Sequence, residues 1–278
     1  MKTKTFVVMV LGATIFSASP SFAANFSFST GTPDGKIGTA TRPESSGKQE
    51  IETADDFILN QPTSITSASF TGLLTGGASV NDIGLVRVEI YRVFPKDSDQ
   101  NRTIQVPTRE NSPSDIALAE QELPDFNLTT TSLGSFSVLN TVVENINPFP
   151  NQFTGGEGPT TGEEVRFDIS FSQPFSLPAD HYFFVPQVEV SGGEFLWLSA
   201  PKPIVAPGTS FAPDLQSWIR DQELQPDWLR IGTDITAEGP FNASFSLAGE
   251  AVPEPFTILG VSTALAFGTF FKRKLSEK

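Results

Sequence analysis

The chain has no cysteine at all and a single histidine. Without thiols there can be no disulfide, so a fold of 278 residues must be held by its apolar core. Structural zinc, which takes cysteine or several histidines, is excluded by the same shortage. His181 follows Asp180 at the head of an apolar run, where it reads as a packed or hydrogen-bonded side chain. No Gly-x-Ser-x-Gly segment is present to make a nucleophile elbow, although triads in other settings stay open at this point. Basic residues are scarce too, 18 against 32 acidic, and there is no internal repeat.

The two long apolar runs sit at the ends. Lys2 and Lys4, the apolar stretch 6–16 and Ser21-Phe22-Ala23 have the order of a secretory signal peptide over residues 1–23, with cleavage after Ala23. At the other end, Pro253-Glu254-Pro255 precedes the uncharged run Phe256 to Phe271, which stops at Lys272-Arg273-Lys274. Two prolines around one glutamate hold the backbone extended, as a protease substrate must be. At about 1.5 Å rise per residue the run reaches roughly 24 Å as a helix, short of a hydrocarbon core of about 30 Å. A small local thinning of the bilayer and snorkelling by the three cations would close that gap, with the cations on the cytoplasmic side. Residues 251–278 are thus expected to be a sorting tail with a transmembrane helix, and residues 24–250 one exported domain. The plainer alternative is a core helix that happens to end the chain.

Lys2, Lys4, Lys272, Arg273, Lys274 and Lys278 lie in those ends, as does Glu277, which leaves 12 basic residues against 31 acidic, a net charge near −19. Such a body repels nucleic acid and anionic headgroups. Its pattern is that of sheet: Val165, Phe167, Ile169 and Phe171 alternate with Arg166, Asp168 and Ser170, and Val86, Val88 and Ile90 oppose Arg87 and Glu89. Further strands are expected within 64–74, 133–143, 182–190, 194–198, 228–231 and 241–247. Pro186 marks its strand as an edge or a bulge. Short helices are expected at 113–122 and 213–219, each opened by a proline, and 31–47 reads as a loose arm. Long loops are expected at 96–111 and 145–162. The fold class that follows is mainly β, a β-sandwich or jelly-roll-like single domain.

Asp97-Ser98-Asp99-Gln100-Asn101 has the spacing that opens a calcium loop, but Arg102 stands where glycine is needed and Thr108 where a bidentate glutamate is needed. An EF-hand is excluded. Asp97 and Asp99, with Glu110, are left as candidates for a calcium site of another kind, beside the simpler reading of a solvated acidic turn. Asp55, Asp56, Glu163, Glu164 and Asp168 supply carboxylates for a glycosidase pair, yet nothing in the sequence sets two of them at a working separation. Trp197, Trp218 and Trp228 are core residues or, if exposed, stacking platforms for sugar rings.

The tail resembles the PEP-CTERM signal in full, through Pro253-Glu254-Pro255, the apolar segment and Lys272-Arg273-Lys274. The body is similar to uncharacterised members of that group in Ala54-Asp-Asp-Phe57, in residues 88–99, in residues 178–187 and in residues 214–218. The resemblance implies that an exosortase cuts the tail after the inner membrane has held it. It also implies a Gram-negative host, and a destination at the cell surface or in the exopolysaccharide matrix of a biofilm. The expectation is a non-catalytic structural or adhesive protein with no cofactor. A carbohydrate-binding module is the alternative, and a matrix polysaccharide hydrolase the third reading.

Overall fold

The computed structural model describes residues 24–45, 47–146, 153–201 and 216–252. The signal segment, the Pro-Glu-Pro motif, the apolar run and its basic stop all lie outside these residues. Among the described residues no helix is long and apolar enough to cross a membrane.

The strands, in chain order, are β1 (Asn25–Ser29), β2 (Ile37–Ala40), β3 (Ile51–Leu59), β4 (Thr63–Leu74), β5 (Ile83–Arg92), β6 (Ala119–Glu122), β7 (Phe126–Val138) and β8 (Asn140–Val142), then β9 (Thr160–Leu177), β10 (Asp180–Val190), β11 (Phe195–Ala200), β12 (Trp218–Asp221), β13 (Leu229–Arg230), β14 (Asn242–Ala243) and β15 (Phe245–Ala251). They form two sheets, one of nine strands and one of six. The molecule is mainly β, as its alternating runs predict. In the larger sheet β4 carries β9 along one edge, and β15 and then β11 along the other; β7 lies outside β9, and β1 outside β15. The smaller sheet runs β13-β12-β3-β10-β5-β6.

The inward residues of both sheets meet in two apolar clusters, a larger one around Phe184 and a smaller one in which Ile51 and Ile219 join Ile37, Leu73 and Leu196. Phe184 of the six-stranded sheet stacks on Phe245 at 5.3 Å between ring centroids and meets Trp197 edge-on at 6.0 Å. Within the larger sheet Phe70 stacks on Phe167 at 4.7 Å. Rings of this size bury 150–250 Å² each, so they supply much of the stabilisation that disulfides cannot. Gly72 makes room for them: a Cβ there would lie 2.0 Å from the Phe195 ring.

Four expectations are corrected, the last in part. Residues 113–122 form no helix, because the Leu118 amide donates to the Ile90 carbonyl and draws the segment along the β5 edge, where it becomes β6. Trp218 and Ile219, placed in a helix by the sequence, begin β12, while 213–215 lie outside the described residues. The supposed loose arm contains β2, all four residues of which are buried. Of the two readings of Pro186, the edge is wrong, while the bulge has a counterpart close by, where β10 shifts register on β5 between Val188 and Val190. β10 is central, but its ladder to β3 ends at Phe184, and beyond it Thr41 donates its hydroxyl to the Pro186 carbonyl. The missing proline N–H therefore falls where no ladder bond is required.

Candidate functional site

The outer face of the six-stranded sheet, which alternation alone assigns to solvent, is covered. The connection 93–118 and the turn after β12 fold across it and bury Tyr91, Trp218 and Trp228 with Ala54, Phe183 and Val185 in a third apolar cluster. Beside that cluster lies a line of polar residues. Arg220 is the cross-strand partner of Glu52, and Gln187, Arg87 and Glu122 are partners in turn across β10, β5 and β6.

At its buried end Glu52, Glu89, Tyr91 and Arg220 converge, each between 1% and 7% exposed. Tyr91 Oη donates to Glu52 Oε1 at 2.6 Å. Arg220 donates from Nε to Glu52 Oε2, from Nη2 to Tyr91 Oη at 2.8 Å and from Nη1 to the Asp115 carbonyl at 3.1 Å. Its guanidinium lies 4.3 Å over the Trp228 ring, and Trp228 Nε1 donates to the Ser114 carbonyl. One cation thus ties strands β3, β5 and β12 to the overlying connection.

Glu89 is the odd member. Its Oε2 is buried and has no hydrogen-bond partner. Burial first, and then the Glu52 carboxylate beside it, push the Glu89 carboxyl up to about 9, so near neutral pH it holds its proton. Burial and Glu52 also raise Tyr91, which stays a phenol and a donor. Burial works against the charge on Arg220, but the Glu52 carboxylate outweighs it and holds the guanidinium above its usual range.

A carboxylate beside a protonated carboxyl is the pairing that acid–base chemistry uses. Here Trp228 and the covering connection lie over it. The open pocket of ≈ 490 Å³ nearby is lined by Phe94, Arg102, Ile104, Arg109 and Asn111 rather than by Glu52 or Glu89. What the cluster does is bind the cover to the sheet. A second set of charges reinforces it: Arg102 bridges Asp115 at 3.0 Å and Asp227 at 2.5 Å, while Arg109 reaches Asp115 at 2.5 Å. Burial resists ionisation of Asp115, yet Arg102 and Arg109 hold its carboxyl below the usual range.

The residues singled out from sequence fall as follows. Asp97 gives both carboxylate oxygens to Arg92, which holds its carboxyl low. Asp99 Oδ1 accepts the Asn101 amide at 2.9 Å, and the Asp99 carbonyl accepts Arg109. The segment is a turn closed by guanidinium groups, and among the described residues no group of three or more acidic or histidine side chains is placed to hold a metal. Trp197 and Trp218 are fully buried and Trp228 is 2% exposed. None can stack on a sugar, which corrects the platform reading; Trp197 fills the larger cluster between the sheets, and Trp218 and Trp228 the cluster under the covering connection.

Asp55 and Asp56 are neighbours on β3 but face opposite sides. Asp55 points inward and joins the sheets, accepting Ser217 Oγ at 3.0 Å and the Ala243 amide. Burial and then Asp56 raise its carboxyl well above the ordinary range. Asp56 faces outward, 2.8 Å from His181 Nε2, and the His181 ring stacks on Phe183. The lone histidine is thus a buried, hydrogen-bonded side chain. Glu163, Glu164 and Asp168 lie on β9, in the other sheet.

No family model matches this chain, and no curated protein matches it.

Sequence reasoning missed Glu52 and Arg220, and took Glu89 for a solvent-facing residue. The one available signal was the partial pattern Trp218-Ile-Arg-Asp221 against Ile51-Glu-Thr-Ala54, in which apolar residues share short strands with opposite charges.

Proposed function

We propose that the chain is an exported surface or extracellular-matrix protein, held by its tail, cut by an exosortase at Pro253-Glu254-Pro255, with a non-catalytic body that is structural or adhesive. The observation that carries this reading is the pairing of the first strand with the last. β1 lies antiparallel to β15 from Asn25↔Glu250 to Ser29↔Ser246, and the Ala251 amide donates to the Ala24 carbonyl at 2.8 Å. The body therefore closes on itself one residue after the expected signal cleavage and two residues before the Pro-Glu-Pro motif. The sealed Glu52–Arg220 cluster supports a body without catalysis, since its acid–base groups serve to hold the covering connection.

Mass measurement of the chain recovered from cells checks this. In a host with active exosortase the mature protein is expected to begin at Ala24 and to end within the motif, in the surface or medium fraction. Replacing Pro253, Glu254 and Pro255 by alanine is expected to leave the tail attached and the protein in the membrane fraction. An intact tail on the wild-type chain in such a host would end the sorting claim.

A further inference from the structure

The free edge of β7 is unlike the other sheet edges. Among the described residues β7 pairs only with β9, and its second edge makes no backbone hydrogen bond. Residues 126–143 hold no charged side chain, in a chain with 32 acidic and 18 basic residues. Exposed edges are ordinarily protected by charge, proline or shortness. The other edges have such protection: β6 carries Glu120 and Glu122, β8 has three residues and β13 two, and β1 has only five. β7 has thirteen, with Leu133 exposed at the bulge that interrupts its register and Leu139 exposed just beyond its end.

We propose that the straight segment Phe126–Ser132 is a self-pairing edge at which a second copy of this chain adds its own β7 antiparallel, making one sheet continuous through a two-fold dimer. The charge distribution selects this occupant. Two bodies each near −19 repel over most of their surfaces, and they can approach only where charge is absent on both. Self-pairing about a two-fold axis also satisfies both free edges at once, which a foreign strand does not. The faces match: with Thr129 opposite Thr129, Leu128 meets Thr130 on the core side, and Asn127 meets Thr131 on the outer side. Seven residues a side make a small interface, so the dimer is weak and favoured where protein is concentrated. This inference does not depend on the sorting tail or its cleavage.

The absence of cysteine supplies the test. Single-cysteine variants Asn127→Cys, Thr129→Cys and Thr131→Cys are made in the full chain, held in mild detergent and oxidised, with the exposed Ser172→Cys on β9 as control. Directly opposed Cα atoms in an antiparallel pair lie about 4.5–5.5 Å apart, within disulfide reach. One of the three β7 positions is expected to cross-link at least about tenfold faster than the control, and Thr129 is the position that the matched faces favour. In the Thr129→Cys background, Asn127→Asp with Thr131→Asp sets like charges opposite each other and should abolish the cross-link, as should Asn127→Lys with Thr131→Lys. Mixing the acidic and basic variants should restore it as a heterodimer. Cross-linking no faster than the control at all three β7 positions would overturn the proposal. So would cross-linking that survives both charge variants.

Discussion

Replacing Arg220 by alanine is expected to cost the folded protein about 3–5 kcal/mol, the usual penalty for breaking a buried ion pair from one side. Glu52, 1% exposed in the intact protein, is left with Tyr91 and a long 3.5 Å contact from Gln225 Nε2 as donors, and with Glu89 beside it. The loss includes the packing of the guanidinium on Trp228 and its bond to the Asp115 carbonyl. In a body of this size such a change should lower the melting temperature by roughly 10 °C. Arg220→Lys should recover little, since an ammonium cannot serve Glu52, Tyr91 and Asp115 from one plane. Adding Glu52→Gln to Arg220→Ala should recover part of the loss, because the uncompensated carboxylate is then gone. Urea unfolding of the three variants measures these differences. A loss below about 1 kcal/mol for Arg220→Ala would show that the cluster does not hold the cover.

The second large effect is a pH dependence carried by Glu89. Its carboxyl stands at about 9 in the folded protein against 4.5 for the ordinary group, so the folded state keeps a proton that the unfolded chain releases. The contribution is complete below 4.5, declines as pH rises from there, and is lost once pH has passed 9. Glu89→Gln keeps the shape and a donor toward Glu52 but cannot ionise. The variant should match the wild type near pH 4.5 and exceed it by on the order of 2 kcal/mol at pH 8, with a flatter profile between. Melting temperatures across pH 4–9 give the difference directly. Parallel profiles for the two proteins would remove Glu89 as a buried, proton-holding group.

How far the fold could be read depended on which faces were covered. The strict alternation in 164–171 and 85–92 announced β9 and β5, because a half-buried strand writes its two faces into the sequence. β3 escaped for the opposite reason. Ile51-Glu-Thr-Ala-Asp-Asp-Phe57 is buried on both sides while carrying three carboxylates, so no polar face marks it as a strand. The same concealment hid the site. Glu89 alternates with Val88 and Ile90 as a solvent-facing residue would, and only the connection 93–118 lying over it reverses that meaning. Glu52 and Arg220 are brought together by register between strands remote in the chain, which no local window contains. Tryptophan identity was visible, but whether an indole is platform or core is decided by packing.

The order in which the polypeptide is made has to contend with β1 and β15. β1, the first described strand, is made long before β15, the last, and until β15 is made Phe28 can meet Phe57 but lacks the Phe245 ring on its other side. Contacts this remote form late and slowly. The larger sheet is complete only after β15 has been made, so β1 and the 63–70 stretch of the β4 edge stay without that partner until the last described strand arrives.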